Sequence, residues 1–207
     1  GAVVGAVTGL SGTLAFSASV ITLGQNNLAM DQLATVTMTA SDHLLLKSSG
    51  SFGTQGDLNI VTPYITGASA SSQSVSASGA LTMTRPVAPV SSAGLQVGAQ
   101  ASFSGASGRG CTDILLPSGA LTLRATSGAL NVSGNLDVGG VAATFYDVVK
   151  YTSAGSISLV ANAGAVTVAN TSMVNVSAAA AGGDAGTFSV SAPTGLFIMN
   201  GNLQGTA

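Results

Sequence analysis

The sequence predicts an all-β protein, a right-handed parallel β-helix (solenoid) of roughly ten rungs. One short phrase recurs along the chain: a glycine, any residue, a bulky apolar residue, a small or polar residue, and a second bulky apolar residue. Bulky and small side chains alternate with period two, which is typical of a half-buried strand. Three pairs of phrases lie nine residues apart, and the larger intervals run near twenty or its multiples, which is the spacing of stacked coils.

Each instance of the phrase predicts one short strand. The ten instances begin at Gly12, Gly56, Gly79, Gly119, Gly128, Gly134, Gly155, Gly164, Gly186 and Gly195. We expect the leading glycine to supply a corner with positive φ, and Asn162, Asn170, Asn200 and Asn202 to serve at further corners. A strand of about five residues and a corner of about four, repeated two or three times, would complete one rung, with rungs about 4.8 Å apart.

Two rival folds fit the sequence less well. A β-sandwich also has short strands at regular intervals, but Asn200-Gly201 is the one hairpin dipeptide between predicted strands, and aromatic residues make up 4% of the chain. A helical fold conflicts with 28 glycines. Only the segment Gln25–Leu33 could hold a helical turn.

Composition excludes several classes of partner. Charged residues make up 6% of the 207 residues, the net charge is -2, and the five basic residues are scattered, so we expect neither nucleic-acid nor anionic-membrane binding. Polar residues interrupt every long apolar run, so no membrane span is predicted. Cys111 is alone and cannot form an intrachain disulfide. The chain opens in mid-pattern and its ends carry no caps, so residues 1–207 are interpreted as a single segment of a longer exoprotein.

The C-terminal half carries a family resemblance. The runs Gly155–Val168, Val174–Pro193 and Gly201–Gly205 resemble the filamentous-haemagglutinin family of two-partner-secreted bacterial exoproteins, and Thr62–Ser72 is similar in style. The resemblance covers most of residues 56 to 207. It implies a right-handed β-helix exported through an outer-membrane secretion partner, located outside the cell or on the bacterial surface, and serving in adhesion or biofilm formation. Host or neighbouring-cell surfaces, glycans, or like rods stacked end to end are the expected partners.

Two segments lack the phrase and are predicted to leave the solenoid. The first runs from Ser104 to Ser118 and the second from Gly139 to Ala154. Excursions of this kind often build binding faces. The candidate binding residues are Phe145, Tyr146, Lys150, Tyr151, Arg109 and Asp113. The alternative, which we favour for the second segment, is a bulge whose aromatic side chains pack on the rod.

No enzyme is predicted, and no catalytic, metal or cofactor site. The seven carboxylates are all Asp, several near corners where they would bind backbone N–H groups, and Asp113 could form a surface ion pair with Arg124. His43 and Cys111 are each alone, which leaves no triad or metal cluster. The runner-up function is a β-helical carbohydrate-active or carbohydrate-binding passenger domain, favoured if the Asp side chains cluster on one face. Ice binding by outward Thr ladders such as Thr35–Thr39 ranks low, because Thr does not recur in a fixed column.

Overall fold

The computed structural model describes residues 9–86 and 96–207. All regular structure in these ranges is β-strand, and no helix is present that could cross a membrane. The strands, in chain order, are β1 (Thr13–Leu23), β2 (Asn27–Met30), β3 (Thr35–Leu46), β4 (Ser49–Thr54), β5 (Asp57–Val61), β6 (Tyr64–Gly67), β7 (Ser72–Ala77), β8 (Leu81–Thr84), β9 (Gln100–Gly105), β10 (Gly108–Gly110), β11 (Asp113–Leu115), β12 (Ala120–Ala125), β13 (Leu130–Val132), β14 (Leu136–Asp137), β15 (Ala142–Phe145), β16 (Val148–Tyr151), β17 (Ser156–Ala161), β18 (Val166–Val168), β19 (Met173–Asn175), β20 (Thr187–Ser191), β21 (Phe197–Met199) and β22 (Asn202–Gln204).

The strands stack into three parallel faces of one solenoid. The first face runs β1-β3-β5-β8-β10-β13-β18-β21, and the second runs β1-β3-β6-β11-β14-β19-β22. The third face runs β2-β4-β7-β9-β12-β17-β20. Because β1 and β3 are long enough to cross from the first face to the second, they join these two faces into one sheet. The predicted parallel β-helix is confirmed, with eight rungs in the described residues; its right hand stays a prediction, based on the handedness of parallel crossovers.

The register shows how like residues stack on like. Thr13 pairs with Thr35 and Thr35 with Asp57, which sets a basic rung of 22 residues. One inward column of the first face contains Leu14, Val36, Leu58, Leu81, Gly108, Leu130, Val166 and Phe197. Such columns form one continuous apolar core along the rod, so burial of aliphatic side chains is the main force that holds each rung on the next.

All ten phrases begin strands or run into them, but their glycines act differently from the prediction. Gly12 alone among the ten has a positive φ. At eight of the others a side chain would collide with the previous rung: a Cβ on Gly155 would meet the carbonyl oxygen of Gly119, and a Cβ on Gly195 that of Gly164. At Gly128 the fit is tight, with Ser107 Cβ 3.0 Å away. The glycines therefore permit close backbone approach between rungs.

The non-glycine corners with positive φ also differ from the predicted ones. In the described residues they are Gln32, Ser48, Ala70, Ser118 and Tyr146, and none is asparagine. Buried amides support some corners across rungs. The Gln73 side chain donates to the carbonyl oxygens of Gly24 (2.7 Å) and Lys47 (3.0 Å), so one amide ties three rungs together.

Two further expectations are wrong. The Gln25–Leu33 segment contains β2 rather than a helical turn, because Leu28 pairs in register with Phe52 of the next rung. The segment 104–118 is not an excursion, since β10 and β11 continue the first and second faces. Gly108 and Gly110 stand there in the inward positions of the missing bulky residues. A Cβ on Gly108 would lie 2.7 Å from Leu130 Cδ1, which shows that the neighbouring rung fills the space.

Candidate functional site: an inserted hairpin

The segment 139–154 does leave the rod, as predicted, and forms an antiparallel hairpin between the second and third faces. β15 pairs with β16 from Ala142 opposite Tyr151 to Phe145 opposite Val148, and Tyr146-Asp147 makes the turn. The insertion lengthens its rung to 36 residues, measured from Leu130 to its partner Val166. Since the two strands pair with no other strand of residues 9–86 and 96–207, the hairpin is an appendage to the solenoid.

Thr152 anchors the base of the hairpin. Its Oγ1 lies 2.6 Å from Oγ of Ser118 on the previous rung and accepts a hydrogen bond from the Val141 N–H (2.9 Å). The backbone N–H of Thr152 donates to the Val141 carbonyl oxygen (3.0 Å). These bonds close the loop where it leaves the rung, so the position of the hairpin on the rod is fixed by its base.

The hairpin exposes large apolar side chains, which the middle rungs of the rod bury. Tyr146 is fully exposed, and Val148, Val149 and Tyr151 are each more than 40% exposed. Lys150 is exposed between them. An exposed apolar cluster beside polar residues is typical of an interaction site in a soluble protein. We call these five residues, with Asp147, the hairpin surface.

Tyr146 has a strained backbone. Its φ is +55°, the left-handed region that bulky side chains rarely adopt and that two-residue hairpin turns usually give to Asn or Gly. Side-chain packing does not offset this backbone strain, because the Tyr146 side chain is fully exposed to solvent. A strained residue without a packing role is a candidate for recognition.

The alternative that we favoured, aromatic packing on the rod, is correct for one tyrosine only. A Cβ on Gly182, in the corner after β19 of the following rung, would lie 3.5 Å from the Tyr151 ring; because Tyr151 is still 43% exposed, its ring packs on the rod only in part. Tyr146 does not. The backbone of Phe145 pairs with that of Val148 beside the turn.

The structure places Arg109 and Asp113 elsewhere. Arg109 points outward from β10, where its Nε donates to Cys111 Sγ at 3.3 Å. This hydrogen bond, and after it the coulombic interaction with the same thiol, raises the pKa of Arg109, while desolvation acts in the opposite direction. Asp113 forms an ion pair with Arg85 at 2.5 Å rather than with Arg124, which bonds Asn162 instead. The six predicted site residues thus separate into four on the hairpin and two on a regular rung.

The aspartates are spread over the first and second faces, the corners and the hairpin, and none lies on a strand of the third face. Three of them accept backbone N–H groups: Asp57 from Ala80, Asp113 from Asn135, and Asp137 from Gly139. Within residues 9–86 and 96–207 no three His, Cys or Asp residues come together as a metal site would need. His43 stacks on the buried ring of Tyr64, with 5.2 Å between ring centroids, and its Nδ1 lies 3.2 Å from Asp42. It covers this ring.

Two surface features escaped prediction. Val148 and Val149 are part of the hairpin surface, and the signal was present, since adjacent valines break the alternation of the rod. The second is a column of hydroxyl side chains along the third face, which needs the register to be seen. It consists of Ser51, Ser74, Ser102, Thr122, Ser158 and Ser189. Hydroxyls, though not Thr alone, therefore recur in a fixed column.

The first and last described rungs each have one neighbour instead of two. Phe16 and Leu28 are exposed at the first, and Leu196, Phe197 and Leu203 at the last. Comparison of the chain with protein-family models, with curated proteins and with solved structures finds no match.

Proposed function

We propose that this chain is a rigid rod segment of a secreted or cell-surface bacterial adhesin of the filamentous-haemagglutinin type, serving adhesion or biofilm formation. One observation carries the proposal: eight rungs stack in register around a continuous apolar core. A solenoid in which each rung contacts only its neighbours extends in one dimension, here over about 35 Å. Rigid reach is what such an architecture supplies.

The hairpin surface supports the adhesive part of the proposal. Tyr offers a large contact area at a small cost in side-chain entropy, and Tyr146 stands at the tip of the one projecting strand pair among the described residues. A host or neighbouring-cell surface or its glycans would be the partner. Export through an outer-membrane secretion partner belongs to the same proposal and follows from the family resemblance.

Retention of coated beads on cells tests the proposal. Beads carrying the full 207-residue chain should be held on bacterial or epithelial cells under flow, and the double variant Tyr146→Ser/Tyr151→Ser should hold about tenfold fewer, because aromatic anchors contribute most to such contacts. The matched control is Asn131→Ser, an exposed outward position on β13. Retention no better than that of uncoated beads on every surface tried would refute an adhesive role.

The second candidate is a β-helical carbohydrate-active or carbohydrate-binding passenger domain. A groove of about 410 Å³ favours its binding form; it crosses successive rungs over Gly119, Gly155 and Gly186, with Ser156 and Thr187 beside them. The aspartates are too widely spread to favour a polysaccharide-hydrolysing enzyme, which would need paired carboxylates. Soluble polysaccharide that competes with cells for the beads would indicate glycan binding, and release of new reducing ends would indicate cleavage.

A further inference from the structure

The two outer edges of the hairpin are unpaired. In the described part of the chain β15 and β16 form a sheet of two strands, and no third strand joins either edge. A two-stranded hairpin is marginally stable in water unless a further strand or a packed face supports it. Here all described side chains of β16 are exposed, so the rod supplies little of that support. A further strand paired with the hairpin would supply it.

The backbone groups available for such a strand follow from the hairpin register. Antiparallel pairs alternate between hydrogen-bonded and non-hydrogen-bonded. Thr152 donates to Val141, so the hydrogen-bonded pairs recur at Ala143 with Lys150 and at Phe145 with Val148. Val149 and Tyr151 therefore direct their N–H and C=O groups away from β15, toward the open edge of β16.

The sequence of β16 suits this edge for pairing with itself. Val148 and Val149 are β-branched, Tyr151 is aromatic, and the strand contains neither Gly nor Pro. In an antiparallel pair of two copies centred on Val149, this residue opposes its own copy. Tyr151 then lies opposite Asp147, and Lys150 opposite Val148, so no like charges face each other.

Charge also selects this register over its neighbour. Centring the pair on residue 150 instead would keep the hydrogen-bonding alternation, because Val149 would then oppose Tyr151, but it would place two Lys150 side chains opposite each other. Lysine on an edge strand commonly discourages open-ended association. Here it disfavours the Lys150-centred pair relative to the Val149-centred one, and a two-fold pair of this kind closes on itself.

We propose that the open edge of β16 binds a second copy of this chain, forming a four-stranded antiparallel sheet across a two-fold axis at Val149. The occupant is the same strand of another rod, and the contact joins rods side by side through their hairpins. This pairing stands whether or not the rod serves adhesion, because it concerns copies of the chain alone.

Sedimentation equilibrium of the purified full chain tests the pairing. The molar mass should rise with concentration from 19.9 kDa toward twice that value. Val149→Lys and Val149→Asp, each tested alone, should weaken the association at least about tenfold, because each places like charges on the two-fold axis. An equimolar mixture of the two variants should restore it, since opposite charges then meet.

Thr144→Lys is the matched control. It adds the same charge to the same hairpin, directly across from Val149 but on the edge of β15, and should leave the association unchanged. Far-ultraviolet circular dichroism checks that every variant keeps its strand content. A wild-type chain that stays monomeric at all concentrations overturns the proposal. So does an association that survives both Val149 variants, which would indicate contacts at the rod ends, or a mixture that remains monomeric.

Discussion

Two segments of this chain lack the repeat phrase, and the rod treats them in opposite ways. Residues 104–118 continue the first and second faces as an ordinary rung, with Gly108 paired between Leu81 and Leu130. Residues 139–154 leave the rod, and Thr144, Val149 and their neighbours form the hairpin. Loss of the phrase alone therefore does not mark an excursion. A rung tolerates missing inward side chains when larger side chains of neighbouring rungs fill the space. Additional residues in a rung, by contrast, have no place in the stacked strands and form a loop outside the rod.

Removing the side chain that fills this space should have the largest effect. Leu130→Ala should lower the free energy of unfolding by about 4 kcal/mol, because it opens a cavity next to the one that Gly108 would otherwise leave. Chemical denaturation of the full chain measures the loss. Leu136→Ala is the control, equally buried but with Ile114 and Val174 on both sides, and should cost about 3 kcal/mol.

A double variant sharpens the result. Gly108→Leu alone should cost about 2 kcal/mol through overpacking against Leu130. In the Leu130→Ala background the same change should cost less, or stabilise, because the new side chain enters the cavity. Strictly additive losses would mean that these two positions do not share space and that the rung tolerates Gly108 for another reason.

These residues also explain how far the sequence could predict the structure. The phrase located strands correctly because period-two burial is a local property, visible at Gly155–Leu159 without knowledge of any neighbour. Compensation between rungs is not local. That Leu130 covers Gly108, or that Gly119 leaves no room for a side chain on Gly155, depends on register across 22 or 36 residues. The ion-pair partner of Asp113 likewise depends on the register between rungs, because that partner, Arg85, is 28 residues away in the sequence.

Removing the hairpin should have a much smaller effect on the rod. Replacing 142–151 by Asn-Gly joins Val141 to Thr152, whose backbones are already hydrogen-bonded at 3.0 Å. Because β15 and β16 pair with no described strand of the rod, the free energy of unfolding should change by less than about 1 kcal/mol. A loss comparable to that of Leu130→Ala would show that the hairpin is structural, and the contrast between the two segments would fail.

The candidate site was predicted in part for a related reason. Aromatic and charged residues outside the phrase pointed to Tyr146, Lys150 and Tyr151, and these do lie together on the hairpin. Whether a loop aromatic packs or projects depends on its place in the loop. Tyr146 is in the turn and is fully exposed, while Tyr151 is at the base of the hairpin, beside Gly182 of the following rung. No composition or spacing signal separates the two.

The smallest expected effect separates strain from function at the hairpin tip. Tyr146→Asn should stabilise the chain by about 0.5 kcal/mol, because Asn adopts a φ of +55° more readily than Tyr and no packing is lost. The midpoint of chemical denaturation measures this gain, and bead retention on cells should fall at the same time. Tyr146→Phe, which keeps both the ring and the strain, should change neither quantity appreciably. A variant that gains stability while losing adhesion would show that a costly side chain is kept at the tip for contact, whereas an unchanged retention would assign the adhesive contact to another part of the rod.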